Sequence, residues 1–184
     1  MVNSFLMDYK AAVAHWGSDF RLKKALDAHE VFKCGEGVYS SKDNPPKEAV
    51  LCFRYPRAVI TMKSAYFLHG LTDEIPEAVD IAIPSSGRAP TIEGVNVHYS
   101  PKGFHDRGVI TLEIHGFSIR TYSKERLLIE LLRGKESIPY DLYKEIIQRY
   151  RRIADTLDFR LLEDCLIDFP KARLIKKRLD EEVL

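Results

Sequence analysis

Long apolar runs are missing from this chain. Charged residues interrupt every hydrophobic stretch well before the ~18–20 residues a membrane-spanning helix needs, so no span and no membrane partner are expected. Cysteine is scarce: Cys34, Cys52 and Cys165 are odd in number, widely spaced and form no CxxC pair. A disulfide framework and a zinc site are therefore not expected, and three buried or half-buried thiols fit a reducing cytoplasm. Neither sign of charge is in excess, with 28 Lys+Arg against 27 Asp+Glu and a net charge of +1. That balance excludes a polybasic, histone-like nucleic-acid binder in bulk, although it says nothing about a local basic face. Met1–Asp8 lacks the basic region and long apolar stretch of a signal peptide. No repeat and no low-complexity segment is present.

Catalytic signatures are also missing. The chain has no GxxxxGK(S/T), no GxGxxG after a strand, no HExxH and no GxSxG. The six histidines, His15, His29, His69, His98, His105 and His115, make no pair at metal-binding spacing on one helix. The nearest approach to a metal-nuclease site is Asp80 followed by Glu113-Ile114-His115, where strand alternation puts Glu113 and His115 on one face. The lysine such a site needs is replaced by His115. A metal-dependent nuclease is the alternative reading; the preferred one is a chain that is not an enzyme, with no catalytic residues, no metal and no cofactor.

What is present is a globular composition: 184 residues, 45% apolar and 30% charged, enough for a real core. The polar stretch Ser40–Lys47, carrying Pro45-Pro46, is the best internal boundary and divides the chain into 1–42 and 47–184. In the first part Phe5, Leu6, Tyr9, Ala12, Val13 and Trp16 recur at helical intervals, and Gly17 and Ser18 end that helix and cap the next. Leu22, Ala25, Leu26 and His29 form the apolar stripe of a second helix over Asp19–His29. Glu30–Cys34 and Gly37–Ser40 read as two strands of a hairpin. The second part reads as mixed α/β. Lys47–Phe53 is ambiguous between helix and strand, Thr61–Leu68 reads as a helix, and Val79–Ile83, Val95–Tyr99, Val109–Ile114 and Phe117–Tyr122 as strands. Four helices follow, over Lys124–Arg133, Tyr140–Ala154, Asp158–Asp168 and Lys171–Leu184. The expected class is α+β: a small N-terminal reduced winged helix, then a mixed α/β domain with C-terminal helices.

Charge placement gives the candidate sites. Residues 1–42 hold 6 basic and 5 acidic side chains, 43–123 hold 8 and 9, and 124–184 hold 14 and 13, so no segment is basic as a whole. Arg21, Lys23 and Lys24 project away from the packed stripe of the second helix, and Lys33 sits on the first ribbon strand. A helix of this kind enters the major groove while the ribbon touches phosphates, with Arg reading guanine and Lys mainly positioning. Further on, Arg149, Arg151 and Arg152 cluster in one helix, and Lys171, Arg173, Lys176, Lys177 and Arg178 in the last. They read either as a solvated, salt-bridged surface or as a face for a partner, in which Arg149, Arg151, Arg152, Lys176 and Lys177 are the candidates.

Several segments resemble the AbiEi-type antitoxin family. Gly35–Ser40 is similar to its wing. Tyr55–Leu71, a proline then a helix beginning at Thr61 and a turn ending in Gly-Leu, is similar to its most recognisable segment. Asp80–Pro84 stands where that family has a strand ending in proline, and Thr121–Arg133 resembles its strand-to-helix motif, with Glu130 where Asp is more usual. The resemblance runs from about residue 5 to 165. It implies an antitoxin and transcriptional autorepressor of a two-gene abortive-infection module serving phage defence. The implied partners are promoter DNA, bound by the N-terminal winged helix, and a cognate nucleotidyltransferase-like toxin, neutralised by the C-terminal domain. One departure is that only two helices precede the wing. Glu125, Arg126 and Glu130 read as a structural brace, since Arg126 and Glu130 lie one turn apart and can pair.

Overall fold

A computed structural model describes residues 5–88 and 90–184, so the reading of Met1–Ser4 lies outside the described residues. Helices and strands are both prominent, and the class is α+β as expected. The chain divides into two compact units: residues 1–58 with 111–120, and residues 59–110 with 121–184. This differs from the expected division near residues 43–46. The helix after the Pro-Pro linker and the tip of a distant hairpin both go with the first unit. Pro45-Pro46 marks a turn between elements of one unit, because proline punctuates local structure without deciding which surfaces are buried together.

In the first unit the order is β1 (Leu6–Asp8), α1 (Tyr9–Trp16), α2 (Asp19–Asp27), β2 (Phe32–Gly35), β3 (Val38–Ser40) and α3 (Lys47–Arg54). The two helices are separated by sharp chemical signals. The Asp8 carboxylate accepts from the Ala11 N–H at 2.7 Å and so caps α1. Gly17, at φ 83°, closes it with an N–H bond to Val13 O at 2.8 Å. Ser18 caps α2 through the Arg21 N–H at 3.2 Å. Because Asp8 is a cap, the residues before it are extended. Leu6–Asp8 pairs antiparallel with β3, Leu6 opposite Ser40 and Asp8 opposite Val38. The expectation that Phe5 and Leu6 belong to the first helix is corrected accordingly. Their spacing matched a helical stripe by coincidence, since both helix and strand need Leu6 to face the core.

β3 is central in the sheet order β1-β3-β2 and is buried along its length. The β2–β3 ladder bulges between Lys33 and Gly35. Ala12, Leu22, Ala25, Val31 and Tyr39 form a core, flanked by Met7, Val13, Trp16 and Leu26. The small residues Ala12 and Ala25 let two short helices approach the ribbon closely.

The second unit carries β4 (Val59–Ile60), α4 (Met62–Leu68), β5 (Val79–Pro84), β6 (Val95–Ser100), α5 (Lys124–Arg133), α6 (Tyr140–Arg152), α7 (Phe159–Leu166) and α8 (Ala172–Glu182). A hairpin of β7 (Val109–Ile114) and β8 (Phe117–Tyr122), whose residues 111–120 belong to the first unit, turns at His115-Gly116. Both turn residues have positive φ, which gives the corner the twist a two-residue hairpin needs. The sheet order is β6-β5-β4-β8-β7. β5 and β6 run parallel over six residue pairs, β4 and β5 antiparallel, and β4 and β8 parallel.

Helix α5 is the centre of this unit and is buried from Glu125 to Leu132. Arg126 has 0% exposure. Its Nε and Nη2 donate to Glu130 Oε1 at 3.2 and 2.8 Å, and its Nη1 donates to the carbonyls of Phe104 at 2.7 Å and Arg107 at 3.2 Å. The rings of Tyr122 and Phe169 lie 4.7 and 4.9 Å from its guanidinium carbon. Glu130 also pairs with Arg133 at 3.0 Å. Glu125 accepts from the Asp158 N–H at 3.1 Å, and Tyr150 donates to Lys124 O at 2.8 Å. Gly108 packs over Arg126: a Cβ there would stand 2.7 Å from the arginine Cβ, and its φ is +73°. Among the described residues no buried side-chain N or O lacks a hydrogen-bond partner. All three cysteines are free; burial pushes the Cys52 thiol up to about 11 and raises Cys34 and Cys165 as well.

Candidate nucleic-acid interface

The side of α2 away from its packed stripe presents Lys23, Lys24 and Asp27, with Arg21 on the flank, all four exposed. None of the three cations makes an ion pair among the described residues. The buried side of the helix is held by Leu22 and Ala25, so the cations stand on a positioned surface. Two acids share the helix. The first, Asp19, is engaged: Tyr9 donates its hydroxyl to Asp19 Oδ1 at 2.7 Å, and this hydrogen bond raises the phenol's pKa, with small further contributions from burial and the neighbouring charge. Asp27, at the far end, is exposed, and only its backbone carbonyl is engaged, accepting from His29 Nδ1 at 3.2 Å. Lys33 is exposed on β2 and lies opposite Tyr39 in the ladder.

One residue on this face escaped the sequence reading. Phe20 is 68% exposed, and Lys24 Nζ sits 5.0 Å from its ring centroid. The signal was available: at 100° per residue Phe20 lies about half a turn from Leu22, off the apolar stripe and among the cations.

The other proposed sites fare differently. Arg149 is tied within the second unit, pairing with Asp73 and with Glu145 at 3.4 Å and donating to Gly70 O at 3.2 Å. Arg151 donates to Glu182 O at 2.6 Å. Arg178 donates to Leu132 O at 2.5 Å and pairs with Glu136. Arg151 and Arg178 fasten helices to one another and Arg149 ties α6 to the loop after α4, which is the salt-bridged reading of their clusters. Lys177 makes an i,i+4 pair with Glu181 at 3.7 Å. Arg152 and Lys176 are exposed and make no ion pair among the described residues.

Asp80 and Glu113 are each engaged by neighbours of their own unit. The carboxylate of Asp80 is nearly buried and engaged, accepting from His98 Nε2 at 2.8 Å and Asn96 Nδ2 at 3.2 Å. Glu113 accepts from Ser118 beside it in the hairpin. Among the described residues no cluster of His, Cys, Asp and Glu has the makings of a metal site, and no helix is long and apolar enough to cross a membrane.

No family model matches the chain, and no curated protein does. Among solved structures it is similar to the RV2827C protein from Mycobacterium tuberculosis. The match has a TM-score of 0.65 and 14% identity and covers 97% of this chain and 72% of that one. The fold is shared. At this identity the likeness extends to the fold alone, in keeping with the α+β class described above.

Proposed function

We propose that the chain is a double-stranded DNA-binding regulator, acting in the cytoplasm as antitoxin and autorepressor of a two-gene abortive-infection module. The observation that carries this reading is the exposed side of α2: three cations that make no ion pair among the described residues, on a helix whose packed side is fixed to a small strand-backed core. Free cations on a rigid helix are what phosphate contact requires, because intramolecular salt bridges would have to be broken first. In this reading the unit containing α1, α2 and the β2–β3 ribbon is the reduced winged helix, with α2 in the major groove and Lys33 against the backbone. The antitoxin role rests on the resemblance of four ordered segments to the AbiEi-type family. The neutralised partner is then a nucleotidyltransferase-like toxin encoded beside it. The second unit is the surface that meets it, with Arg152, Lys176 and Lys177 steering association around an apolar centre. Nuclease chemistry is not favoured, because Asp80 is already satisfied by His98 and Asn96.

A gel-shift titration of the full chain on its upstream promoter tests the DNA reading. Replacing Arg21, Lys23 and Lys24 together with Ala is expected to weaken binding and to reduce the log–log salt slope by about 0.9 per lost contact. Unchanged affinity and slope would remove α2 from the interface. Co-expression with the neighbouring toxin, scored by growth, tests neutralisation, and failure of the full chain to rescue would remove the antitoxin assignment.

A further inference from the structure

We propose that Phe20 reads a thymine methyl group in the major groove, so that the preferred duplex carries a T at the position α2 meets first. This rests on the DNA-binding reading above and specifies what that surface recognises. Phe20 is the second residue of α2, and the N-terminal residues of a groove-bound helix are the ones that reach base edges. It is 68% exposed and lies off the stripe that packs α2 to its core. Its apolar surface is thus open to contact, and burying it against a partner's apolar group would be favourable. The occupant is fixed by what flanks the ring. Arg21, Lys23 and Lys24 on the same helix make no ion pair among the described residues and outnumber the one exposed carboxylate on that side, Asp27, so the complementary surface is anionic and brings an apolar group to Phe20. In duplex DNA the apolar group of the major groove is the C5-methyl of thymine, which side chains such as Phe contact.

The ring's own environment favours this contact over stacking on an unpaired base. Lys24 Nζ lies 5.0 Å from the ring centroid and covers one π-face. A base stacking there would have to displace the ammonium, whereas a methyl group needs only the edge or the remaining face.

The test starts with selection of duplexes by the full chain from a random library. Each thymine of the enriched duplex is then replaced singly by deoxyuridine, which removes the methyl and keeps every hydrogen-bonding group. For at least one position the parent protein is expected to lose about fourfold in affinity, the equivalent of one buried methyl-sized group. Phe20→Ala is expected to bind the T and U duplexes equally, and Phe20→Leu to keep part of the discrimination. Far-UV circular dichroism confirms that both variants fold, as expected for so exposed a position. Deoxyuridine that is neutral at every position, an equal loss in the parent and in Phe20→Ala, or preference for the single strand would overturn the inference while leaving DNA binding in place. If no duplex is enriched, or if the Arg21/Lys23/Lys24 triple variant binds as well as the parent, the DNA reading of α2 fails and this inference falls with it.

Discussion

Replacing Arg126 with methionine isolates the polar centre of the second unit. Methionine approximates the aliphatic stem of arginine and keeps contact with Tyr122 and Phe169, but donates nothing. The carbonyls of Phe104 and Arg107 each lose a donor, and the buried Glu130 carboxylate loses a bidentate partner. Removing one member of a buried pair costs about 3–5 kcal/mol. Arg133 remains on the other Glu130 oxygen at 3.0 Å, so the low end, about 3 kcal/mol, is expected. Replacing Glu130 with methionine in the same chain removes the stranded charge and should recover about 1–2 kcal/mol of that loss. Urea titration followed by far-UV circular dichroism measures it, because most helical residues belong to the second unit. Fluorescence of Trp16, the single tryptophan, reports the first unit separately. With a slope of about 2 kcal/mol per molar urea, the circular-dichroism midpoint of Arg126→Met should fall by about 1.5 M. A fall under about 0.5 M, or a double variant less stable than the single one, would show that Glu130 does not depend on Arg126.

Three further outcomes follow from local geometry. Gly108→Ala should be more destabilising than Gly37→Ala: both sites have φ near +72°, yet only the former brings the new Cβ into Arg126 and Cys165, so thermal melts should separate them by about 1–3 kcal/mol. Glu182 is partly buried, which pushes its carboxyl up, but hydrogen bonds from Lys135 and Tyr143 at 2.8 Å outweigh this and hold it below the ordinary value of 4.5. A depressed folded value means the stabilisation is present above the ordinary range and is lost as pH falls through the folded value, so Glu182→Gln should flatten stability against pH below about 4.5. Purified protein with Mg²⁺ or Mn²⁺ is expected to leave duplex DNA intact; cleavage abolished by Asp80→Ala or Glu113→Ala would restore the nuclease alternative.

Periodicity exposed those elements whose burial is one-sided. The β7–β8 hairpin was legible because alternating residues flank His115-Gly116; α5, buried on all sides, was legible instead from its Ser123 cap and a Leu-rich stretch ended by Gly134. β4 was not: two residues offer no period, and Val59 and Ile60 are defined by their partners on β5 and β8. Leu6–Asp8 was hidden because a three-residue strand abuts a helix with the same inward phase. The pairing of Arg126 with Glu130 could be read from spacing, but not its depth, because the carbonyls that satisfy the guanidinium come from a loop about twenty positions earlier. At the candidate interface the cations of α2 were visible as charges. That they are unpaired, while Arg149 and Arg151 are not, depends on tertiary neighbours that no local pattern encodes.

The discontinuity of the first unit has a consequence for how the chain is made. Residues 1–58 emerge from the ribosome early, but the unit to which they belong also includes residues 111–120. At about 5–20 residues per second, roughly 3–12 s of synthesis separate Ala58 from Arg120. During that interval the α2 surface is carried by an incomplete body. Nascent chains arrested just before Thr111 and just after Arg120 would therefore differ in protease resistance of the first segment, and a truncation at residue 42 or 58 would leave that incomplete state permanent.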